Sequence, residues 1–338
     1  MKNISVVIPV FNEEENINIL YCQICKYLDQ LPYSYELIFI DDGSSDDTAV
    51  VLEGLVACDK KVRAILLARN FGHQVALTCG LDNAQGDAVI TMDGDLQHPP
   101  ELLPALIAKW EEGFEIVQTV RIDTEGASLM KKLTAKIFYC LINYISNLQM
   151  IAGSSDFRLL DKKVIQTFRG FKEKSRFIRG IIGDLGYRRI NVEFVAPKRF
   201  AGKSKFSFKK MVSFALDGIT AYSKLPLRIA FYLGLFFGIV SIGMTLEIMY
   251  IKFFTNEAVP GWTTIAASVL IFGGAQLVGL GIIGEYIGRI FEEVKQRPLY
   301  WVKSEISNKK ALKIYPRAKY KYIRINRLCI GDVTNEKS

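Results

Sequence analysis

The sequence predicts an α/β head built on a mostly parallel sheet, followed by two transmembrane helices, and three observations predict it. Short apolar runs alternate with segments of helical period through the first 120 or so residues, as in sheets covered by helices on both faces. Two late stretches, Leu227 to Phe254 and Thr263 to Ile290, are each long and apolar enough to cross a bilayer, and nothing before Lys224 is. Basic residues crowd both flanks of that pair, while the connection from Thr255 to Trp262 contains no Lys or Arg.

Taken in order, Ser5-Val6-Val7-Ile8-Pro9-Val10 reads as a buried strand, and Asn12-Glu13-Glu14-Glu15 opens a helix whose apolar positions Ile17, Leu20, Ile24 and Leu28 fall on one face. Tyr35 to Ile40 is a second strand. It empties into Asp41-Asp42-Gly43-Ser44-Ser45-Asp46-Asp47, a turn that also caps a helix from about Thr48 to Leu55. Ala64 to Leu67 gives a third strand, Gln74 to Ala84 a helix, and Asp87 to Thr91 a fourth strand delivering Asp93-Gly94-Asp95. Pro99-Pro100 then stops the strand and suits a helix start. Ile116 to Arg121 is a further strand, and Lys131-Lys132 opens an amphipathic segment to about Asn147.

The chain of 338 residues is half hydrophobic, with a net charge of +8. The excess charge lies at Lys198, Arg199, Lys203, Lys205, Lys209 and Lys210 before the first span, and at Arg289, Lys295, Arg297, Lys303, Lys309 and Lys310 at or after the end of the second. That distribution fits anionic lipid rather than nucleic acid, and by the positive-inside rule it puts the head and both termini in the cytoplasm. Phe208 to Tyr222 mixes Lys209 and Lys210 with Met211, Phe214 and Leu216, as in a helix lying in the membrane interface. The expected organisation is a head at 1–206, an interfacial region at 207–226, two spans at 227–290 and a basic tail at 291–338. The N-terminus enters a strand directly and lacks a signal peptide's apolar core and cleavage site. Six scattered cysteines, of which only Cys22 and Cys25 are close, carry no assigned function.

Two carboxylates one residue apart at a strand's C-terminal edge point to a shared cation, although a polar turn capping the next helix has the same pattern. Hard oxygen donors favour Mg²⁺ or Mn²⁺ held jointly with substrate phosphates. Neither a Gly-x-Gly-x-x-Gly after the first strand nor a Gly-x-x-x-x-Gly-Lys-Ser/Thr occurs, which disfavours dinucleotide and P-loop sites. Acidic groups stand instead at three strand ends, as Glu13, Asp42 and the pair Asp93 and Asp95. Such groups accept hydrogen bonds from a base or sugar and, with a cation, hold a diphosphate.

The segments Val6 to Glu14, Asp41 to Asp46 and Met92 to Glu101 resemble the three signatures of GT-A inverting glycosyltransferases of family 2, in order and in the right strand context. The chain is most similar to the polyprenyl-phosphate glycosyltransferases, the group of dolichol-phosphate mannose synthase, from residue 4 to about residue 301. Ile283 to Arg289 and Arg297 to Tyr300 resemble the bacterial undecaprenyl-phosphate branch.

The resemblance implies that Pro9, Phe11, Glu13 and Asp42 hold the nucleoside, and that Asp93, Asp95 and Gln97 hold metal and diphosphate. It implies phosphate contacts by Arg121 and Lys131, and by Arg199, Ser204 and Lys205 of the loop Lys198 to Phe206. Ser154 to Leu159 matches the acceptor-side motif, with Asp156 near the reacting centre as candidate base or as a positioning group. His98 reads as a helix-start or supporting residue and His73 as structural. The expected reaction is transfer of a hexose, glucose from UDP-glucose, to undecaprenyl phosphate with inversion. A mannosyl or aminosugar donor is the alternative. A processive polysaccharide synthase would carry more spans and a Gln-x-x-Arg-Trp motif, absent here, and a non-catalytic scaffold sits poorly with intact Asp93, Asp95 and Gln97. Glycines 273, 274, 279, 281, 284 and 288 permit close helix packing, consistent with the family's tetramers.

Overall fold

The computed structural model describes residues 2–122, 153–174, 176–195, 225–254 and 261–307. Among the described residues the head is built on an eight-stranded sheet in the order β7-β5-β6-β4-β1-β2-β3-β8. The strands are β1 (Asn3–Val10), β2 (Ser34–Asp41), β3 (Val62–Leu67), β4 (Ala88–Thr91), β5 (Ile116–Ile122), β6 (Ser154–Asp161), β7 (Arg189–Val195) and β8 (Val302–Ser307). Between them run α1 (Ile17–Leu28), α2 (Thr48–Cys58), α3 (His73–Asn83), α4 (Leu103–Glu111), α5 (Lys162–Gly170) and α6 (Ile178–Asp184). The pairs β1–β2, β1–β4, β2–β3 and β5–β7 are parallel; β4–β6, β5–β6 and β3–β8 are antiparallel. The mostly parallel α/β head expected from the alternation is met.

The period-2 alternation of the central strands explains the two layers of core. Ile4, Val6, Ile8 and Val10 of β1, with Leu37 and Phe39 of β2 and Ala88 and Ile90 of β4, face one cluster built with α1, α2 and α4. Val7, Ile38, Ile40 and Val89 face the other, built with α3, α5 and α6. Both faces of β1 are therefore covered, and Ile4 to Ile8 are fully buried.

The chain steps from β1 through β2 to β3, then returns to place β4 on the opposite side of β1. Where strand order reverses, the loops leaving β1 and β4 diverge and open a crevice at the carboxyl edge. That crevice receives the residues after Val10 and after Thr91. The antiparallel register of β4 and β6 pairs Thr91 with Arg158; carried two residues further, it sets Asp156 level with Asp93.

Among the described residues two helices follow the head, α7 (Leu225–Phe254) and α8 (Trp262–Lys295). Segments of 27 and 25 residues within them have mean hydropathies of 2.1 and 1.3 and none of their most apolar stretch buried, so both are long and apolar enough to cross a bilayer. They pack on each other, with Phe237 edge-on to Phe272 at 5.7 Å.

The stretch 291–338 is not one basic tail. Val302–Ser307 forms β8 on the open edge of β3, and Ile306 enters the core beside β3, pairing with Ala64. An unpaired edge strand is a template for a further strand, and the later chain supplies one.

Candidate active site

At the carboxyl edge of β1 the chain turns sharply, with Asn12 at φ 56°, and after β4 Leu96 lies at φ 61°. Left-handed backbone at non-glycine residues is strained, and such residues cluster at functional sites. Leu96 turns the chain between the two acidic residues and Gln97, whose backbone N–H donates to Asp95 Oδ1 at 3.2 Å. The backbone N–H of Asp93 donates to His98 Nδ1 at 2.9 Å. His98 Nε2 then carries the proton and donates to Ser155 Oγ at 2.6 Å. His98 is buried and stacked on Phe157 at 5.2 Å, so it ties the turn after β4 to the start of β6.

Asp156 is 4% exposed and surrounded by cations. Its Oδ1 accepts from Arg158 at 2.7 Å and from Arg179 Nε at 2.9 Å, and its Oδ2 accepts from Arg179 at 2.8 Å. Burial pulls its pKa up, but hydrogen bonds from His73 and Arg179 and the charges of both arginines hold the carboxyl well below the usual range. An Asp in that state is a weak base. Of the two roles open to Asp156, base or positioning group, these contacts favour a carboxylate that fixes charge and position. Arg158 is itself 2% exposed, and burial lowers its pKa to about 10 against the pull of Asp156.

His73 joins the two acidic positions. Its Nε2 lies 3.5 Å from Asp93 Oδ1 and 3.5 Å from Asp156 Oδ2. Burial opposes protonation, but the Asp156 hydrogen bond and the Asp93 charge outweigh it and raise the imidazole to about 9. His73, read from the sequence as structural, is the first residue of α3 and stands between these two carboxylates.

Directly after β2, Asp42 is 3% exposed, and its two oxygens accept the backbone N–H groups of Phe71 at 2.7 Å and Gly72 at 2.9 Å. Burial raises its carboxyl and these two donors oppose the rise. The next residue, Gly43, has φ 69°, and a Cβ there would lie 2.4 Å from the carbonyl carbon of Arg69. Only glycine lets the turn after β2 meet the loop after β3 so closely.

The model of the Glycosyl transferase family 2 family matches residues 5–169. A Bacillus subtilis protein called uncharacterized glycosyltransferase YkcC is 41% identical over 90% of this chain and 95% of its own. The bactoprenol glucosyl transferase of Shigella phage SfX is 42% identical over 89% of this chain and 99% of its own. A prophage bactoprenol glucosyl transferase homolog of Escherichia coli K12 is 40% identical over 89% and 98%. The chain belongs to glycosyl transferase family 2.

In this glycosyltransferase the edge of the sheet collects Pro9 at the end of β1, Phe11 and Glu13 just beyond it, Asp42, and the Asp93 to Gln97 turn. Phe11 is 36% exposed, and the Glu13 carboxylate accepts from Asn16 Nδ2 at 2.6 Å. Arg121 stands exposed near the end of β5, which runs parallel to β4, and so lies on the same edge two strands away. Lys131, Arg199, Ser204 and Lys205 lie outside the described residues, as does nearly all of the interfacial segment 207–226.

A divalent cation fits the donors after β4. Asp93 and Asp95 bring carboxylate oxygens and Gln97 an amide oxygen, all hard ligands. Among the described residues no group of three His, Cys, Asp or Glu could hold a metal alone, so substrate oxygens and water would complete the shell, the usual arrangement for Mg²⁺ or Mn²⁺ beside phosphates.

Arg158 and Arg179 were not singled out from the sequence. Arg158 had a signal, because residues two apart in a strand share a face and Asp156 needs a cation there. Arg179, from a helix 23 residues on, had none.

Proposed function

We propose that this glycosyltransferase is membrane-bound and moves glucose from UDP-glucose onto the phosphate of a polyprenyl phosphate, undecaprenyl phosphate, with inversion. The observation carrying the transferase chemistry is the meeting, through His73, of Asp93 in the acidic turn with the arginine-clamped Asp156. The substrates are supported by the near full-length likeness to proteins named bactoprenol glucosyl transferase.

In this reading Pro9, Phe11, Glu13 and Asp42 line the nucleoside side, while Asp93, Asp95 and Gln97 face the diphosphate. A bound Mg²⁺ or Mn²⁺ supplies Lewis-acid neutralisation of the charge gathering on the departing diphosphate. Asp156 keeps Arg158 and Arg179 in place at the reacting centre. The acceptor needs no strong base, because a phosphate monoester with a second pKa near about 6 is largely dianionic at neutral pH. Arg121, Lys131, Arg199, Ser204 and Lys205 contact the acceptor or donor phosphates. The two long helices cross the membrane with the head and both termini in the cytoplasm, place the head beside its lipid, and associate into an oligomer, a tetramer.

Purified protein offered UDP-glucose, UDP-N-acetylglucosamine and GDP-mannose, each with polyprenyl phosphate and Mg²⁺ or Mn²⁺, tests this. Glycolipid from UDP-glucose alone is expected. Product only from GDP-mannose or the aminosugar donor would move the assignment to the alternative, and no product from any donor would end it.

A further inference from the structure

The chain leaving α8 returns to the head and touches both ends of the element that carries His73. Tyr300 packs against the core under α3, and its hydroxyl donates to Asp82 Oδ2, near the C-terminal end of that helix, at 3.2 Å. At the opposite end, the loop that leads into α3 donates a backbone N–H from Ala68 to the carbonyl of Trp301 at 2.9 Å. The Trp301 ring lies edge-on to Phe71 at 6.0 Å, and the Arg69 guanidinium stacks over the other partner of that contact, Phe71, at 4.3 Å. Register between β3 and β8 shifts between Leu66 and Leu67, and such a bulge re-aims the chain running into a site. Arg63, bonded to Glu36 at 3.0 Å and Glu305 at 2.9 Å, pins the far end of β8.

The clamped loop is the one whose backbone N–H groups at Phe71 and Gly72 bind Asp42, and it presses on Gly43. Position is therefore passed along a short path, from Trp301 to the loop at 68–72, to Asp42 on one side and His73 on the other.

We propose that Trp301, with the strand it precedes, is a positioning element: it holds the loop at 68–72 so that His73 stands between Asp93 and Asp156 and Asp42 keeps its place. Transfer by the head thus depends on the chain that emerges from the second long helix. The activity half of this inference rests on the transferase reading; the clamp itself does not. Trp301 is 51% exposed, so its removal disturbs little core, and a purely structural role would show mainly in unfolding.

The test uses full-length protein in nanodiscs, as wild type, Trp301→Ala and Trp301→Phe, with two readouts. Hydrogen exchange of the amides at 68–73 needs no substrate. Trp301→Ala is expected to lose protection there while β1 and β4 keep theirs, and Trp301→Phe to retain it. In glucosyl transfer, Trp301→Ala is expected to lower kcat about 10- to 100-fold, the scale of a small misplacement at a reacting centre, with KM for the lipid unchanged and Trp301→Phe restoring most of the rate. Unchanged exchange at 68–73, loss of protection throughout the head, or wild-type kcat in Trp301→Ala would each overturn the proposal. If wild type transfers no sugar, the transferase reading fails while exchange still decides the clamp.

Discussion

Replacing Asp156 with Asn removes one negative charge from a site holding two guanidiniums. Arg158 is fully enclosed at 2% exposure, and Arg179 keeps 31% of its side chain exposed. Breaking a buried ion pair by removing one partner costs about 3–5 kcal/mol, because the remaining charge stays desolvated. Arg179 can turn toward water, which places the cost near the lower end, about 3 kcal/mol. For a head of this size each kcal/mol moves Tm by about 2–4 °C, so Asp156→Asn is expected to unfold about 6–12 °C below wild type in a thermal scan at neutral pH. The sign with pH follows from the depressed carboxyl. Its stabilisation is complete above the unfolded aspartate value of about 3.9 and is lost as pH falls toward the lower folded value. The gap between wild type and variant therefore persists from neutrality down to about pH 4 and closes only below it. A second change tells charge from shape: Arg158→Met in the Asp156→Asn background removes the stranded buried cation and should recover part of the lost Tm. Equal Tm for wild type and Asp156→Asn, or no recovery in the double variant, would refute the electrostatic reasoning.

Gly43→Ala forces a side chain into left-handed backbone and against Arg69; a loss of about 1–3 kcal/mol in urea unfolding is expected, together with a raised KM for the sugar nucleotide. His98→Ala leaves the Asp93 N–H and the Ser155 hydroxyl without their ring partner. It should lower kcat more than it raises KM for the lipid, and retained wild-type kcat would remove His98 from the support of the turn. Asp161 caps α5 through the Lys163 N–H at 2.8 Å and accepts from Trp110 Nε1 at 2.7 Å. Asp161→Ala is therefore expected to cost about 1–2 kcal/mol by chemical denaturation without changing KM for either substrate.

Local pattern made much of this molecule legible. The runs at Val6 to Val10 and Leu37 to Ile40 are apolar because both sheet faces are covered, and strands of that kind announce themselves without alternation. The Asp93 to Pro100 turn is read from its own residues, and the long apolar helices from length alone. What escaped was what depends on distant chain. β8 pairs with β3 across some 240 residues, and its six residues, only two of them aliphatic, carry no strong strand signature. His73 read as structural, because its neighbours Asp93 and Asp156 come from two other strands' ends. For Asp156 the motif left base and positioning group both open, because the sequence shows the carboxylate and not the arginine that folds onto it from α6.

In the proposed reaction the acidic turn after β4 works with a divalent cation to pass glucose to a lipid phosphate. The most direct measurement is the mass of the lipid product formed from UDP-glucose and undecaprenyl phosphate by purified wild type, by Asp95→Ala, and by wild type with chelator. A gain of one hexose on the lipid is expected in wild type with Mg²⁺ or Mn²⁺, and at least about a hundredfold less product in the other two samples, the loss expected when the main stabiliser of the leaving group is removed. Undiminished product from Asp95→Ala or from chelated enzyme would contradict it.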